Sequence, residues 1–188
     1  MTTDAPGQSA HLFLQVVRVL DQSRVPYAAI GALAAAFFGV VRASLDADAV
    51  ISLGQSRTTL DELLAALRGE RISATVRPGD ESDPLVGVIA VEDAHHNRVD
   101  IILGIRGMDP AAFSRTLPAP LLGSSIRMIG IDDFIAMKIF AGGPRDIEDV
   151  RGVLKVSREL VHMDQVRRLT ARYGSRELSL LESLLAEP

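Results

Sequence analysis

Two aspartates separated by one residue, Asp46 and Asp48, are the side chains of this sequence best suited to chemistry. The segment 46–52 alternates polar and apolar residues, which predicts a β-strand. Residues two apart in a strand point to the same face, so the two carboxylates stand side by side, about 6–7 Å apart at the backbone. Two like charges at this spacing repel unless a cation lies between them. Because hard divalent ions prefer oxygen ligands, the pair predicts a Mg²⁺ site.

A glycine turn precedes this pair in the sequence. Residues 27–30 are predicted to form a short buried strand that ends at Gly31, and residues 32–38 a compact helix. A glycine turn that opens a helix presents free backbone N–H groups, which favour phosphate. An ion held by the two aspartates could bridge nucleotide phosphates and stabilise the charge that develops during transfer. The alternative is that Asp46 and Asp48 are solvated residues at the entrance of a strand.

Strands and helices alternate in the predicted structure up to about residue 130, and the rest of the chain is helical in pattern. The predicted strands are 27–30, 46–52, 72–76, 86–91 and 98–103, the last two forming a hairpin. The predicted helices are 11–20, 32–38, 57–68, 131–141, 145–156, 163–173 and 175–186. We therefore expect an α/β (α+β) fold, with a small mixed β-sheet flanked by helices and a C-terminal helical cluster. The expected divisions are a flexible tail (1–9), an α/β core (10–130) and a helical region packed on the core (131–188).

The composition limits the classes of protein that fit. Apolar residues make up 47% of the 188, enough for a sizeable core, and the net charge of −4 argues against a broad, non-specific nucleic-acid binder. Cysteine is absent, which excludes disulfides and thiolate metal sites. The longest apolar stretch, 28–41, contains two glycines and is shorter than the ~20 residues of a membrane-spanning helix. The N-terminal residues lack the pattern of a signal peptide, so we expect a cytoplasmic protein without a membrane partner.

The segment 29–50 resembles the signature of the DNA polymerase beta-type nucleotidyltransferase superfamily. That signature has an apolar residue, Gly, then Gly or Ser, a spacer, and Asp-x-Asp between apolar residues. Here Gly31 and Ala32 open it, and Asp46 and Asp48 close it after a spacer of the expected size.

Three residues of this segment need separate comment. Arg42 and Ser44 stand where such proteins often carry Arg and Thr ahead of the first Asp. Ala32 departs from the pattern, because the family prefers a second Gly or Ser there. A methyl group at this position could crowd a bound phosphate, and it removes a hydroxyl donor. The departure leaves the fold expectation intact and bears on catalytic competence.

A second match lies downstream, in the segment 131–142 and the Pro-Arg-Asp that begins at Pro144. It resembles the abortive-infection type toxin branch, in which a helix carrying Lys is followed by a Gly turn and a basic-Asp pair. The lysine here is Lys138, and the acidic residues that follow are Asp146 and Asp149. Together the two matches span residues 25–155, which implies a nucleotidyltransferase-like core.

The resemblance implies roles for the acidic residues. Asp46 and Asp48 would ligate Mg²⁺, and Asp100 would be the third carboxylate, from a neighbouring strand. Asp100 would either ligate a second metal ion or take the proton from the attacking hydroxyl. Asp146 and Asp149 would support the site by positioning Lys138 or Arg42, although capping of the helix after Pro144 is the favoured interpretation.

The resemblance also implies how a nucleoside triphosphate would bind. Lys138 would neutralise triphosphate oxygens as a point charge. The remaining nucleotide-binding positions would be Gly31, Ala32, Arg42 and Ser44. The implied reaction moves a nucleoside monophosphate to a hydroxyl acceptor.

Three interpretations remain open from the sequence. The first is a Mg²⁺-dependent nucleotidyltransferase whose acceptor is an RNA 3′ end such as tRNA, a protein side chain or a small molecule such as an aminoglycoside. The toxin-like match favours tRNA or protein, and suggests a toxin paired with a cognate antitoxin. The second is a non-catalytic module of the same fold that acts by nucleotide or partner binding. The third is a purely structural helical protein, which gives the carboxylates no role.

Overall fold

The computed structural model describes residues 3–81 and 83–186, which form a mixed β-sheet and the helices that cover it. The strands are β1 (Tyr27–Ile30), β2 (Asp46–Ile51), β3 (Ser73–Pro78), β4 (Gly87–Glu92), β5 (Arg98–Ile102), β6 (Leu117–Leu121) and β7 (Ser124–Met128). The helices are α1 (Ser9–Gln22), α2 (Gly31–Phe37), α3 (Leu60–Gly69), α4 (Ile131–Ala141), α5 (Pro144–Val156), α6 (Met163–Ala171) and α7 (Ser175–Leu185). Within the described residues the sheet order is β3-β4-β5-β2-β1-β7-β6. The predicted α/β (α+β) class with a mixed sheet is confirmed.

The register of the central strands fixes which side chains meet. β2 runs parallel to β5 with Asp48 opposite Asp100, and antiparallel to β1 with Ile30 opposite Asp48. Because side chains alternate across a strand, residues 46, 48 and 100 share one face of the sheet. The apolar residues between them belong to the other face.

That other face carries the hydrophobic core. Burial alternates along β4, where Gly87, Ile89 and Val91 are buried and their neighbours are only partly so. Helices α1 and α3 contact these central and edge strands, and their apolar sides are buried. The acidic face of β2 and β5 is therefore the one that α1 and α3 leave uncovered.

Local signals explain where several helices begin and end. α3 begins at Leu60 rather than at the predicted residue 57, because Thr59 and Glu62 form a capping box. α4 ends at Gly142, which adopts the left-handed conformation that glycine tolerates best. The remaining predicted helices agree with the structure to within two residues at each end.

The sheet is larger than the sequence predicts, because β6 and β7 are not among the expected strands. β6 contains Pro118 and Pro120, which lower any strand prediction because proline cannot donate to the hydrogen-bond ladder. β6 is nevertheless an edge strand, where a missing donor is tolerated. The five predicted strands agree with the structure to within two residues.

The predicted flexible tail, residues 1–9, overlaps α1 by one residue, and its first two residues lie outside the described residues. Ser9 already begins α1, and its hydroxyl donates to the carbonyl of Leu45 at 2.6 Å. Asn97 accepts from the backbone of Gln8 at 2.6 Å and donates to the carbonyl of Ala5 at 2.9 Å. These bonds tie the end of the tail to the sheet. The division into core and C-terminal region stays a prediction.

Across the described residues, no helix has both the length and the apolar character needed to cross a bilayer.

Candidate active site

Three carboxylates converge on the uncovered face of the sheet. Asp46 and Asp48 belong to β2, and Asp100 lies directly opposite Asp48 on the neighbouring strand β5. Adjacent strands are about 4.8 Å apart, so the last two carboxylates are close neighbours. Asp46 is exposed, whereas Asp48 and Asp100 are half-buried. The arrangement predicted for Asp46, Asp48 and Asp100 is therefore present in the backbone register.

The electrostatics of Asp48 reflect this crowding. The pKa of its carboxyl is raised to about 6, mainly because burial penalises the charged form. The charges of Asp100 and Asp46 raise this pKa further, because each of these carboxylates repels a negative charge on Asp48. Lys138 and Arg42 act in the opposite direction and lower the Asp48 pKa.

A divalent cation fits this donor set. Oxygen ligands on one face, with mutual repulsion and half-burial, are what a hard ion such as Mg²⁺ relieves. No three His, Asp or Glu side chains in the part of the chain described here are grouped closely enough to enclose an ion by themselves. Mg²⁺ is usually held by one or two carboxylates together with substrate phosphates and waters, so such a cage is not required.

Gly31 lies against the carboxylates at the first turn of α2. Its φ of +63° is in the left-handed region, and a Cβ added to it would overlap a carboxylate oxygen of Asp48. No side chain caps the start of α2, so the first N–H groups of this helix have no side-chain partner there. The adjacent Ala32 is 7% exposed, so its methyl group is buried.

Replacing Gly31 by alanine should damage the site more than the fold. We expect Gly31→Ala to cost about 1–2 kcal/mol for the left-handed backbone and, because the methyl displaces Asp48, to weaken Mg²⁺-dependent nucleotide binding at least tenfold. Calorimetric titration with ATP and Mg²⁺ measures the second effect. Gly123→Ala is the matched control, since Gly123 has a φ of +79° and open space around it. Equal loss of binding in both variants would contradict a role for the Gly31–Asp48 contact.

Lys138 reaches the same region from α4 and is held by two carboxylates of α5. Its Nζ lies 2.6 Å from Asp146 Oδ1 and 2.9 Å from Asp149 Oδ2. Arg42, from the loop before β2, places its Nε 3.1 Å from Asp149 Oδ1. The Asp149 side chain is only 2% exposed and the Lys138 side chain 12%. The buried carboxylate of Asp149 therefore pairs with both Lys138 and Arg42, the two cations that lower the pKa of Asp48.

This network corrects the capping interpretation for Asp149, whereas Asp146 does cap α5. Asp149 does not cap a helix; it pairs with Lys138 and Arg42, because one helical turn places it inside the α4–α5 interface. Asp146 has both roles, since it accepts from the backbone N–H of Gly143 at 3.3 Å as well as binding Lys138. The positioning role is thus the one that the contacts support.

A cavity of about 360 Å³ opens beside Gly31 and Lys138. Its walls are mostly apolar, and they come from the sheet, from α4 and from the segment between β3 and β4. The lining includes Ile30, Leu85, Ile102, Ile105, Phe134 and Met137. A cavity of this size with a few polar groups at its rim is suited to a small organic ligand.

Most residues that line this cavity are not among the predicted site residues. Phe134 and Met137 are three residues apart on α4 and could have been assigned to one helix face. Leu85 and Ile105 form an isolated bridge between irregular segments and carry no periodic signal.

Only some of the predicted nucleotide-binding residues line this cavity. Gly31 and Lys138 line the cavity. Ser44 is exposed and its hydroxyl donates to the carbonyl of Asp46 at 3.0 Å. Arg42 is engaged by Asp149. The proposed contacts of Ala32, Arg42 and Ser44 with a nucleotide stay predictions.

Comparisons with known proteins locate this fold among solved structures. No family model matches the chain, and no curated protein matches its sequence. The solution structure of the antibiotic-resistance factor ANT(2″)-Ia aligns with a TM-score of 0.62 at 15% identity, over 96% of this chain and 98% of that one. Its crystal structure in complex with adenylyl-2″-tobramycin aligns with a TM-score of 0.60 at 14% identity, over 88% and 97%.

An antigenic nucleotidyltransferase-like protein from Paracoccidioides brasiliensis is a further neighbour. It aligns with a TM-score of 0.53 at 14% identity, over 98% of this chain and 96% of that one. These three alignments cover at least 88% of this chain and at least 96% of each neighbour. The protein has the nucleotidyltransferase fold.

Proposed function

We propose that this protein is a Mg²⁺-dependent nucleotidyltransferase that moves a nucleoside monophosphate from a nucleoside triphosphate to a hydroxyl acceptor. The observation that carries the proposal is the convergence of Asp46, Asp48 and Asp100 on one sheet face, beside Gly31 and Lys138. The structure of ANT(2″)-Ia with adenylyl-2″-tobramycin supports it, because that compound joins an adenylyl group to an acceptor.

The carboxylates would bind the cation and handle the proton. Asp46, Asp48 and Asp100 would hold Mg²⁺ together with the phosphates, and the bound cation would neutralise charge on those phosphates. In the transfer, the acceptor oxygen bonds to the α-phosphorus while the bond from that phosphorus to pyrophosphate breaks. Asp100 would accept the proton that the hydroxyl loses, because it stands at the edge of the three-carboxylate group nearest the open part of the sheet.

The nucleotide would lie on the opposite side, toward α2 and α4. The free N–H groups at the start of α2 and the ammonium of Lys138 would bind the triphosphate, since both favour anions. The apolar cavity would hold the base and exclude water from it. Asp149 would keep Lys138 and Arg42 in place.

Labelling experiments test the transfer directly. With nucleoside triphosphates labelled at the α-phosphate, Mg²⁺ and a fractionated lysate, we expect one fraction to gain label as pyrophosphate is released. Asp100→Asn should lower this labelling at least 100-fold, because a metal ligand and the proton acceptor are lost together. Asp61→Asn, on the exposed side of α3, is the control and should retain labelling. Labelling that survives Asp100→Asn would contradict the proposed role.

A second candidate is a non-catalytic module that binds a nucleotide or a partner. The observation in its favour is Ala32, which offers no hydroxyl to a phosphate at the start of α2. Mg²⁺-dependent nucleotide binding without labelling of any fraction would favour the module. The toxin role, a tRNA or protein acceptor and a cognate antitoxin follow from the resemblance to the abortive-infection branch and stay predictions.

A further inference from the structure

A polar groove of about 480 Å³ crosses the open part of the sheet next to the carboxylates. Ser73, Thr75 and Arg77 of β3 form one side, and Arg98, Asp100 and Asp46 form the other. We call this the β3–β5 groove. The floor of the groove lies close to the sheet backbone. The reason is that Ala90 on β4, which is in register with both Thr75 and Asp100, has only a methyl group.

The groove and the apolar cavity both adjoin the acidic face of β2 and β5, and they share no lining residue. Asp46 and Asp100 line the groove, whereas Gly31 and Lys138 line the cavity. An in-line displacement places the attacking and leaving oxygens on opposite sides of the phosphorus. With the triphosphate on the cavity side, as in the proposed function, the acceptor must approach from the groove.

The charges that remain free in the groove are positive. Arg98 is paired with Glu92, with its Nε 3.3 Å from a carboxylate oxygen, and Glu92 is also contacted by His96 at 2.5 Å. The Arg77 side chain is exposed, and its guanidinium makes no ion pair or hydrogen bond with any other residue in 3–81 or 83–186. Asp46 and Asp100 are committed to the cation in the proposed function. The groove thus offers an acceptor one unpaired guanidinium on β3, beside the Thr75 hydroxyl.

These charges exclude one kind of acceptor. A polycationic acceptor needs several uncommitted carboxylates, and Glu92 is the sole carboxylate of the described groove residues outside the proposed metal set. Because Glu92 already contacts Arg98 and His96, its negative charge attracts a further cation only weakly. An unpaired arginine instead favours phosphate.

The spacing fits a phosphate close to the reacting hydroxyl. Arg77 lies two strands away from Asp100 across the sheet and two residues further along the strand direction, about 12 Å away at the backbone. A long arginine side chain and a phosphorylated sugar can fill that span together. We propose that the β3–β5 groove binds an acceptor whose reacting hydroxyl belongs to a phosphorylated ribose, with Arg77 as the residue that contacts the phosphate. This proposal rests on the proposed function for the direction of transfer.

Binding measurements test the groove without catalysis. The probes are a fluorescein-labelled RNA hexanucleotide with a free 3′-hydroxyl and unlabelled ribose 5-phosphate, both with Mg²⁺ and no triphosphate. We expect Arg77→Ala to raise Kd about tenfold and to lower the slope of log Kd against log salt concentration by about one, as for one lost phosphate contact. Arg57→Ala is the matched control, because Arg57 is also exposed and lies outside the groove. It should leave both quantities unchanged.

The outcomes separate the two sources of a phosphorylated ribose. Arg77-dependent binding of RNA that ribose 5-phosphate does not displace would identify the polymer, and Arg77-dependent binding of ribose 5-phosphate alone would identify the free sugar phosphate. Either result supports the groove. Ribose or tobramycin binding as tightly as both probes, or Arg77→Ala behaving like Arg57→Ala, would overturn it.

The same measurements keep this inference distinct from the proposed function. Arg77-dependent binding in a protein that transfers no label would leave the groove standing while the transferase proposal fails. Transfer of label that Arg77→Ala does not change would leave the transferase proposal standing while the groove inference fails.

Discussion

The Asp48→Asn variant is expected to be more stable than the wild-type protein in the absence of divalent cations, and to have lost transferase activity. At pH 7.5 the folded wild-type protein holds Asp48 ionised although burial, Asp100 and Asp46 all oppose its charge. Asparagine has nearly the same shape without the charge, so it removes this cost. The loss of a metal ligand should lower transfer at least 1,000-fold.

The raised pKa of Asp48 sets the sign and the size of the stability effect. The pKa is about 6 in the folded protein against an ordinary value of 3.8 for aspartate, so the folded state binds the proton more tightly than the unfolded state. The cost of ionisation is therefore absent below about pH 4, grows between pH 4 and 6, and is complete above pH 6. Two pKa units correspond to at most about 3 kcal/mol, and solvent at this half-buried site reduces that to about 1–2 kcal/mol.

Thermal unfolding with EDTA checks this expectation. We expect Asp48→Asn to raise Tm by about 2–8 °C at pH 7.5 and to have no effect at pH 3.5. Mg²⁺ should raise the Tm of the wild-type protein only, and this gain should disappear as the pH falls through 6. Asp46→Asn is the matched variant: it removes a carboxylate from the same face at an exposed position, so activity should be lost without a gain in Tm. Destabilisation by Asp48→Asn at pH 7.5 would contradict the expectation.

The part of the site that depends on local geometry could be predicted from the sequence. Asp46 and Asp48 share a face because alternation in a strand needs no knowledge of the partners. Gly31 was identifiable because a glycine between a strand and a helix signals a turn. The position of Asp100 next to Asp48 required the parallel register of β2 and β5, which the sequence pattern does not contain; the family resemblance supplied Asp100 instead.

The parts that depend on distant contacts could not be predicted. The sequence places Asp149 in the first turns after Pro144, which favours a helix cap, whereas packing of α5 turns it toward Lys138 and Arg42. Sheet size was underestimated because the prolines of β6 suppress the strand pattern at an edge that tolerates them. Local propensity is a good guide to elements and a poor guide to what their side chains meet.

Removing the Asp149 carboxylate should give the largest loss of stability. Asp149→Ala leaves Arg42 without its partner and Lys138 with Asp146 alone, in an interface where the Asp149 side chain is 2% exposed. Breaking a buried ion pair by removing one partner costs about 3 kcal/mol or more, because the remaining charge is uncompensated. For a chain of this length we expect Tm to fall by about 6–12 °C.

Comparing Asp149→Ala with Asp146→Ala separates the effect of burial on stability from the effect of losing one negative charge. Asp146 also binds Lys138, but its side chain is 25% exposed, so its removal should cost less than half as much. Both variants should weaken Mg²⁺-dependent nucleotide binding below their melting temperatures, since Lys138 loses a fixed position in each. If Asp149→Ala is no more damaging than Asp146→Ala in urea unfolding, Asp149 is not the residue that holds the two cations. A triple variant, Lys138→Met, Arg42→Met and Asp149→Leu, tests why the buried charges are present. If Asp149→Ala unfolds the protein and the triple variant restores stability without restoring nucleotide binding, the buried charges are retained for the site and not for the fold.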